Sequence, residues 1–179
     1  MIDGFSDQET LTITQYAHVA SFNNQGFVEA ALKNALTGLD PNTFIGCVYG
    51  SGVEGNPVFI QMIQEKMPVF GNSSATVEKV KNPRVFFSTL ASLAIPYPSF
   101  SNDFPKNFTG KMLVKSAFGA GGHHIRFAAS NATLAAHEYL QEYVEGESVS
   151  ILFLAEKNPS AKAHVIGFNL QWTSPTDTQ

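Results

Sequence analysis

The sequence predicts a chain in two parts: an α/β layer with a partial, doubly wound parallel sheet over residues 1–98, then an α+β module of mostly antiparallel strands over 111–179. Three observations predict it. Up to Ala94, short apolar runs alternate with stretches whose apolar residues recur at helical spacing. Ile95-Pro96-Tyr97-Pro98 then punctuates the chain, and 99–110 reads as a linker. From Lys111 onward, β-forming residues dominate and helical spacing disappears.

The elements follow in order. Ile2 to Asp7 reads as the tail of a strand entering a loop, and Thr12 to Ala20 as another strand. Gln25 to Leu39 places Phe27, Val28, Ala31, Leu32, Ala35 and Leu36 on one helical face, with Gly38 at the end. Thr43 to Tyr49 has the apolar character of a buried parallel strand. Pro57 opens a helix carrying Ile60 and Ile63, and Pro68 to Gly71 forms a short strand. Ser74 to Val80 is a short helix capped by Ser73 or Ser74. Pro83 to Ala94 is a longer one, directing Phe86, Phe87, Leu90 and Leu93 inward. Strands are then expected over 111–115, 124–128, 139–144, 148–155 and 162–171.

Bulk properties narrow the function. Hydrophobic residues make up 44% of the 179 and charged residues 15%, which suits a soluble chain able to fold without covalent staples. A net charge of −4 argues against a nucleic-acid partner, which calls for a basic face. No apolar run nears the ~20 residues that span a bilayer, so no membrane partner is expected. The N-terminus lacks the basic start and apolar core of a signal peptide, and the cytoplasm is the expected compartment. Cys47 is the only cysteine, which excludes an internal disulfide and a cysteine-based metal cluster.

Two segments carry chemistry. Lys115-Ser116-Ala117-Phe118-Gly119-Ala120-Gly121-Gly122 follows the apolar run Met112-Leu113-Val114. Glycines let backbone N–H groups converge on an anion, and the lysine adds a point charge for a phosphate. It is not a Walker loop, in which the lysine follows the glycines and precedes Ser or Thr. An exposed lysine on a glycine-rich hairpin is the plain alternative. The second segment runs from Tyr139 to Ile151 through Glu145-Gly146. A crossover of this kind offers a carbonyl and an N–H to the edge of a planar base, with Tyr143 and Val144 as an apolar wall. An ordinary edge strand has the same composition.

Other motifs point less sharply. Gly50-Ser51-Gly52-Val53-Glu54-Gly55 matches the dinucleotide fingerprint. Pro57 starts the helix too late for it, and the next strand ends in Gly71-Asn72-Ser73 without a ribose carboxylate. A turn that needs glycine, or a loop holding a small substrate through Ser51 and Glu54, accounts for it as well. His123 and His124 are adjacent, so strand geometry turns them to opposite faces and away from a common metal.

The combination resembles the ATP-grasp superfamily. The order is a helix from Asn82-Pro83-Arg84 to Ile95-Pro96-Tyr97-Pro98, then Leu113-Val114-Lys115, the glycine loop, and Gln141-Glu142-Tyr143-Val144-Glu145-Gly146. Val48–Glu54, Gly71-Asn72-Ser73 and Val165–Thr173 are similar to ATP-grasp proteins of one-carbon (methanopterin and methanofuran type) cofactor biosynthesis. The resemblance implies a partial N-terminal pre-ATP-grasp domain over 1–98 and an incomplete nucleotide-binding lid subdomain over 111–179. It implies ATP and magnesium (Mg2+) as cofactors, and a ligase that joins a small-molecule carboxylate to an amine or thiol through an acylphosphate.

By resemblance, Lys115 contacts phosphates, Gly119, Gly121 and Gly122 form the lid, and Arg84 supplies a further phosphate-binding base. The Glu142 carbonyl and Val144 N–H hold the adenine edge, Tyr143 packs near the base, and Glu147 binds ribose. The family's magnesium carboxylates lie on later strands. After Glu147 only Glu156 and Asp177 are acidic, so the metal ligands are expected outside this chain. A chain shortened at both ends is expected, with self-association through faces left open. A non-catalytic nucleotide-binding module of the same fold is the alternative, and a Rossmann-type oxidoreductase a more distant one.

Overall fold

The computed structural model describes residues 2–3, 8–14, 18–19, 22–23, 26–50, 53–106, 109–119, 121–122, 124–129, 132–156 and 162–171. The chain divides into two compact units, one of 1–97 with 116–124 and one of 98–115 with 125–179.

The first unit is built on helices. In order it holds β1 (Ile2–Asp3), α1 (Gln8–Ile13), β2 (His18–Val19), β3 (Phe22–Asn23), β4 (Gly26–Phe27), α2 (Glu29–Thr37), α3 (Pro57–Gln64), α4 (Ser74–Lys81) and α5 (Pro83–Ser92). Three helix starts are capped as their sequences dictate. Asn56 Oδ1 accepts from the Val58 amide, Ser73 Oγ from Thr76, and Asn82 Oδ1 from Arg84 and Val85. Pro57 and Pro83 stand at the first helical position, where no backbone donor is missed. Apolar spacing then buries Leu32 and Leu36 of α2, Phe59, Ile60 and Ile63 of α3, and Val77 of α4 in one core with Val53 and Met67. The Gln64 side chain accepts from the Ser74 amide at 3.0 Å and ties α3 to α4.

Four expectations change in this unit. Thr12 and Ile13 close helix α1, and the strand expected over 12–20 reduces to His18–Val19 among the described residues. Gly26 and Phe27 pair with Asn23 and Phe22 as a hairpin, so the next helix starts only at Glu29. Thr43 closes a 3-10 turn folded onto the Asp40 carbonyl, and among the described residues the run behind it pairs only at a parallel bridge between Cys47 and Val69. Phe44, Ile45 and Val48 are 45%, 88% and 76% exposed, so the run is not a buried strand. Leu93, expected inside, is 61% exposed. It lies beyond the last turn of α5, where Ala94 takes φ +54° and the Ile95 amide donates back to Leu90.

The second unit is built on sheets: β5 (Phe100–Ser101), β6 (Met112–Ser116), β7 (Arg126–Phe127), β8 (Glu138–Glu142), β9 (Val149–Ala155) and β10 (Ala163–Leu170). One sheet runs in the order β5-β8-β6-β7, with β5 antiparallel to β8 and β6 antiparallel to β7. Phe100 and Ser101 therefore form an edge strand inside the stretch expected as a linker. Met112, Val114 and Leu140 are buried on one face against Phe104, Ala128 and Leu134. β9 and β10 form a separate antiparallel ribbon with a bulge between Val165 and Gly167. Among the described residues, parallel pairing is confined to β1 with β2 and the Cys47–Val69 bridge. Helices with antiparallel sheets make this an α+β fold.

Candidate functional site

Strand alternation generates the site on the second unit's sheet. With Met112, Val114 and Leu140 turned to the core, Leu113, Lys115, Tyr139 and Gln141 fall on the opposite face. There the half-buried Lys115 donates from Nζ to Gln141 Oε1 at 3.2 Å. Burial pulls the Lys115 ammonium below its usual pKa, because the charged form loses hydration. A cation held this way has a strong electrostatic appetite for an anion.

The expected base-binding crossover lies beside it. The Tyr143 amide donates to the Lys111 carbonyl at 2.9 Å, which seats residue 143 next to the start of β6. The Tyr143 ring meets Phe127 edge-on at 5.2 Å, and Lys111 Nζ lies 5.9 Å from both ring centroids. A cavity of about 420 Å3 opens here, lined by Phe104, Pro105, Gly110, Lys111, Met112, Phe127 and Ala128. The Glu142 carboxylate accepts from the Ser99 amide at 3.2 Å and from its hydroxyl at 2.8 Å, so this side chain locks β8 to its neighbour. Val144 is 61% exposed, and Glu147 is exposed in the segment before β9.

Lys115, Glu142, Tyr143, Val144 and Glu147 therefore belong to one unit. Arg84, Gly119, Gly121 and Gly122 belong to the other. Arg84 is exposed in the first turn of α5, its amide capped by Asn82. Gly121 and Gly122 adopt φ of +74° and +82°, which L side chains resist. In the other glycine cluster, Ser51 and Gly52 lie outside the described residues, as does His123. Glu54 stands 3.8 Å from Lys81. Gln141 and Lys111 were not foreseen. Their only signal is alternation with Tyr143 and Lys115, and it acquires meaning once β6 and β8 are known to be neighbours.

A magnesium site calls for clustered carboxylates. Among the described residues no group of three acidic, histidine or cysteine side chains converges. Glu138 pairs with Arg126, Glu142 with Ser99, and Glu156 with His164. These residues do not fit the ion.

Residues 78–177 match the sequence model of the ATP-grasp domain. The chain belongs to the ATP-grasp family. The match starts within α4 and takes in α5, the glycine turn and every strand from β5 to β10. Comparison with curated proteins finds no match. Membership of the ATP-grasp family makes ATP binding and ligase-type chemistry the class of function. No helix among the described residues is long and apolar enough to cross a membrane.

Proposed function

We propose that this ATP-grasp protein binds ATP on the Lys115–Gln141 face of β6 and β8 and takes part in joining a carboxylate to an amine, forming an amide in cofactor biosynthesis. The observation that carries this is the pairing of the two expected segments. Lys115 bonds to Gln141, two residues before Tyr143, while Tyr143 bonds to Lys111, four residues before Lys115. Lys115 is placed to attract phosphate oxygens, and the Glu142 carbonyl and Val144 amide to take the base edge. Arg84, the Gly119–Gly122 turn and Glu147 are proposed as the remaining contacts to phosphates and ribose.

When bound, ATP supplies the phosphoryl group that turns a carboxylate into an acylphosphate, which an amine then attacks with release of phosphate. The chain's own residues hold charge and exclude water. Lys115, short of hydration, interacts more strongly with phosphate than an exposed lysine does. Gln141 keeps its ammonium at the sheet face, and the Tyr143–Phe127 pair offers an apolar surface for a planar ring.

Thermal unfolding with nucleotides tests the reading. ATP should raise the melting temperature and NAD should not, since only a ligand favouring the native state shifts it. Lys115→Met should abolish that shift while leaving the ligand-free protein as stable or more stable by up to ~1 kcal/mol, because a poorly hydrated charge is removed. An unchanged ATP shift in Lys115→Met would sink the assignment. A second reading, an ATP-binding domain without turnover, is favoured by the carboxylates already engaged by Arg126, Ser99 and His164. ADP release dependent on both a carboxylate and an amine separates the two.

A further inference from the structure

Lys81, at the end of α4, reaches two groups with one half-buried ammonium. Its Nζ donates to the Gly119 carbonyl at 3.0 Å and stands 3.8 Å from Glu54 Oε1. Gly119 is also fastened from other directions. Its amide donates to the Ser116 carbonyl at 3.2 Å. The His124 imidazole packs where a Cβ at Gly119 would stand, so a larger residue there would displace that ring. One residue earlier, Phe118 holds φ at +62°, and its carbonyl lies 3.3 Å from where a Cβ on Gly55 would stand.

Two successive carbonyls of the turn therefore face Lys81 and Gly55. This has an electrostatic consequence. A carbonyl oxygen aimed at a phosphate repels it, so a turn that receives an anion must direct its carbonyls elsewhere and leave its N–H groups forward. Lys81 supplies a cationic partner for the Gly119 oxygen. Glu54 in turn supplies the counter-charge that keeps a half-buried ammonium from standing alone.

We infer that Lys81, steadied by Glu54, is a positioning residue that turns the Gly119 carbonyl away from the nucleotide phosphates and so keeps the glycine-rich turn receptive to them. This rests on the reading of that turn as phosphate-binding. Lys81 acts through the turn and does not itself touch the nucleotide.

The test compares wild type, Lys81→Met and Lys81→Arg by two readouts. The first needs no ligand: amide hydrogen exchange over residues 116–119. It should speed up roughly tenfold in Lys81→Met, the loss of about one charge-assisted bond, and stay near wild type in Lys81→Arg. Unchanged exchange in Lys81→Met overturns the inference. The second is the affinity for ATP against adenosine by calorimetry. Lys81→Met should weaken ATP roughly tenfold and leave adenosine unchanged, with Lys81→Arg restoring most of the loss. Equal weakening of both ligands marks a merely structural role and also overturns it. If wild type binds ATP no more tightly than adenosine, the phosphate-binding reading of the turn itself has failed. The exchange data would still report whether Lys81 holds the turn.

Discussion

The two units differ in how they use their apolar residues. Around α2, α3 and α4 the first unit buries Leu32, Leu36, Val53, Phe59, Ile60, Ile63, Met67 and Val77 together. The second buries Met112, Val114 and Leu140 on one face of its sheet and places Lys115 and Gln141 on the other. Its ribbon β9–β10 keeps Ile151, Leu152, Phe153, Leu154, Val165, Ile166 and Phe168 more than half exposed. The contrast is one of purpose. Helices in the first unit bury an apolar stripe for stability, whereas β6 and β8 turn Lys115 and Gln141, with Leu113 and Tyr139, to a mixed face opposite their core. Among the described residues, the second unit thus holds its fold on a narrower apolar core.

Substitutions at the two centres probe that contrast most strongly. Ile60 and Leu140 are both fully buried. Replacing either with alanine should cost about 2–5 kcal/mol, read by urea denaturation. Ile60→Ala should lie toward the upper end, because a larger cluster surrounds the cavity it leaves. A greater loss at Leu140 would break the comparison.

A smaller effect is expected at the end of α5. The Ala94 amide donates to Ala91 and the Ile95 amide to Leu90, a Schellman closure with alanine where glycine is the usual choice. Ala94→Gly should stabilise by roughly 1 kcal/mol, since the left-handed conformation strains a Cβ. A loss of stability would show that the first unit gains more from the alanine methyl than from relaxed backbone.

The smallest effect belongs to the surface of the second unit. Arg126 beside Glu138, with a hydrogen bond from the Ala135 amide, holds the Glu138 carboxyl at about 2, well below its ordinary value. A depressed carboxyl contributes stability above its unfolded pKa, near 4.5, and loses it as pH falls toward about 2. Arg126 is partly exposed, so the pair contributes only about 0.5–1 kcal/mol. Arg126→Ala should lower the melting temperature at pH 7 and match wild type near pH 2. The same gap at both values would remove the ion pair from the account. Lys115 carries a slope of the same sign, in a more alkaline range. Its native pKa lies below the ordinary 10.5, so the unfolded chain binds more protons between the two values and stability rises with pH there.

Local rules were read correctly where they were sufficient. Helices α3, α4 and α5 were legible because Asn56, Ser73 and Asn82 cap them and Pro57 and Pro83 open them, all within a few residues. Strands β6 to β10 were legible from their β-branched and aromatic runs. Thr43 to Tyr49 was misread because an apolar run forms a strand only where a partner lies alongside, and Val69 provides one bridge. Gly26 and Phe27 left the helix because Phe22 and Asn23 offered antiparallel strand partners.

For the candidate site, the chain by itself determined the ingredients. A lysine at the end of an apolar run, glycines behind it, and an interrupted strand around Tyr143 are local patterns set by side-chain chemistry and backbone freedom. Only tertiary structure decided that Lys115 meets Gln141, that Tyr143 meets Phe127 under Lys111, and that Lys81 holds Gly119. Those partners are separated by up to 38 positions, and no local rule specifies them. Strand order and helix packing choose them, because buried apolar area is nondirectional and its arrangement is settled only when the whole core closes.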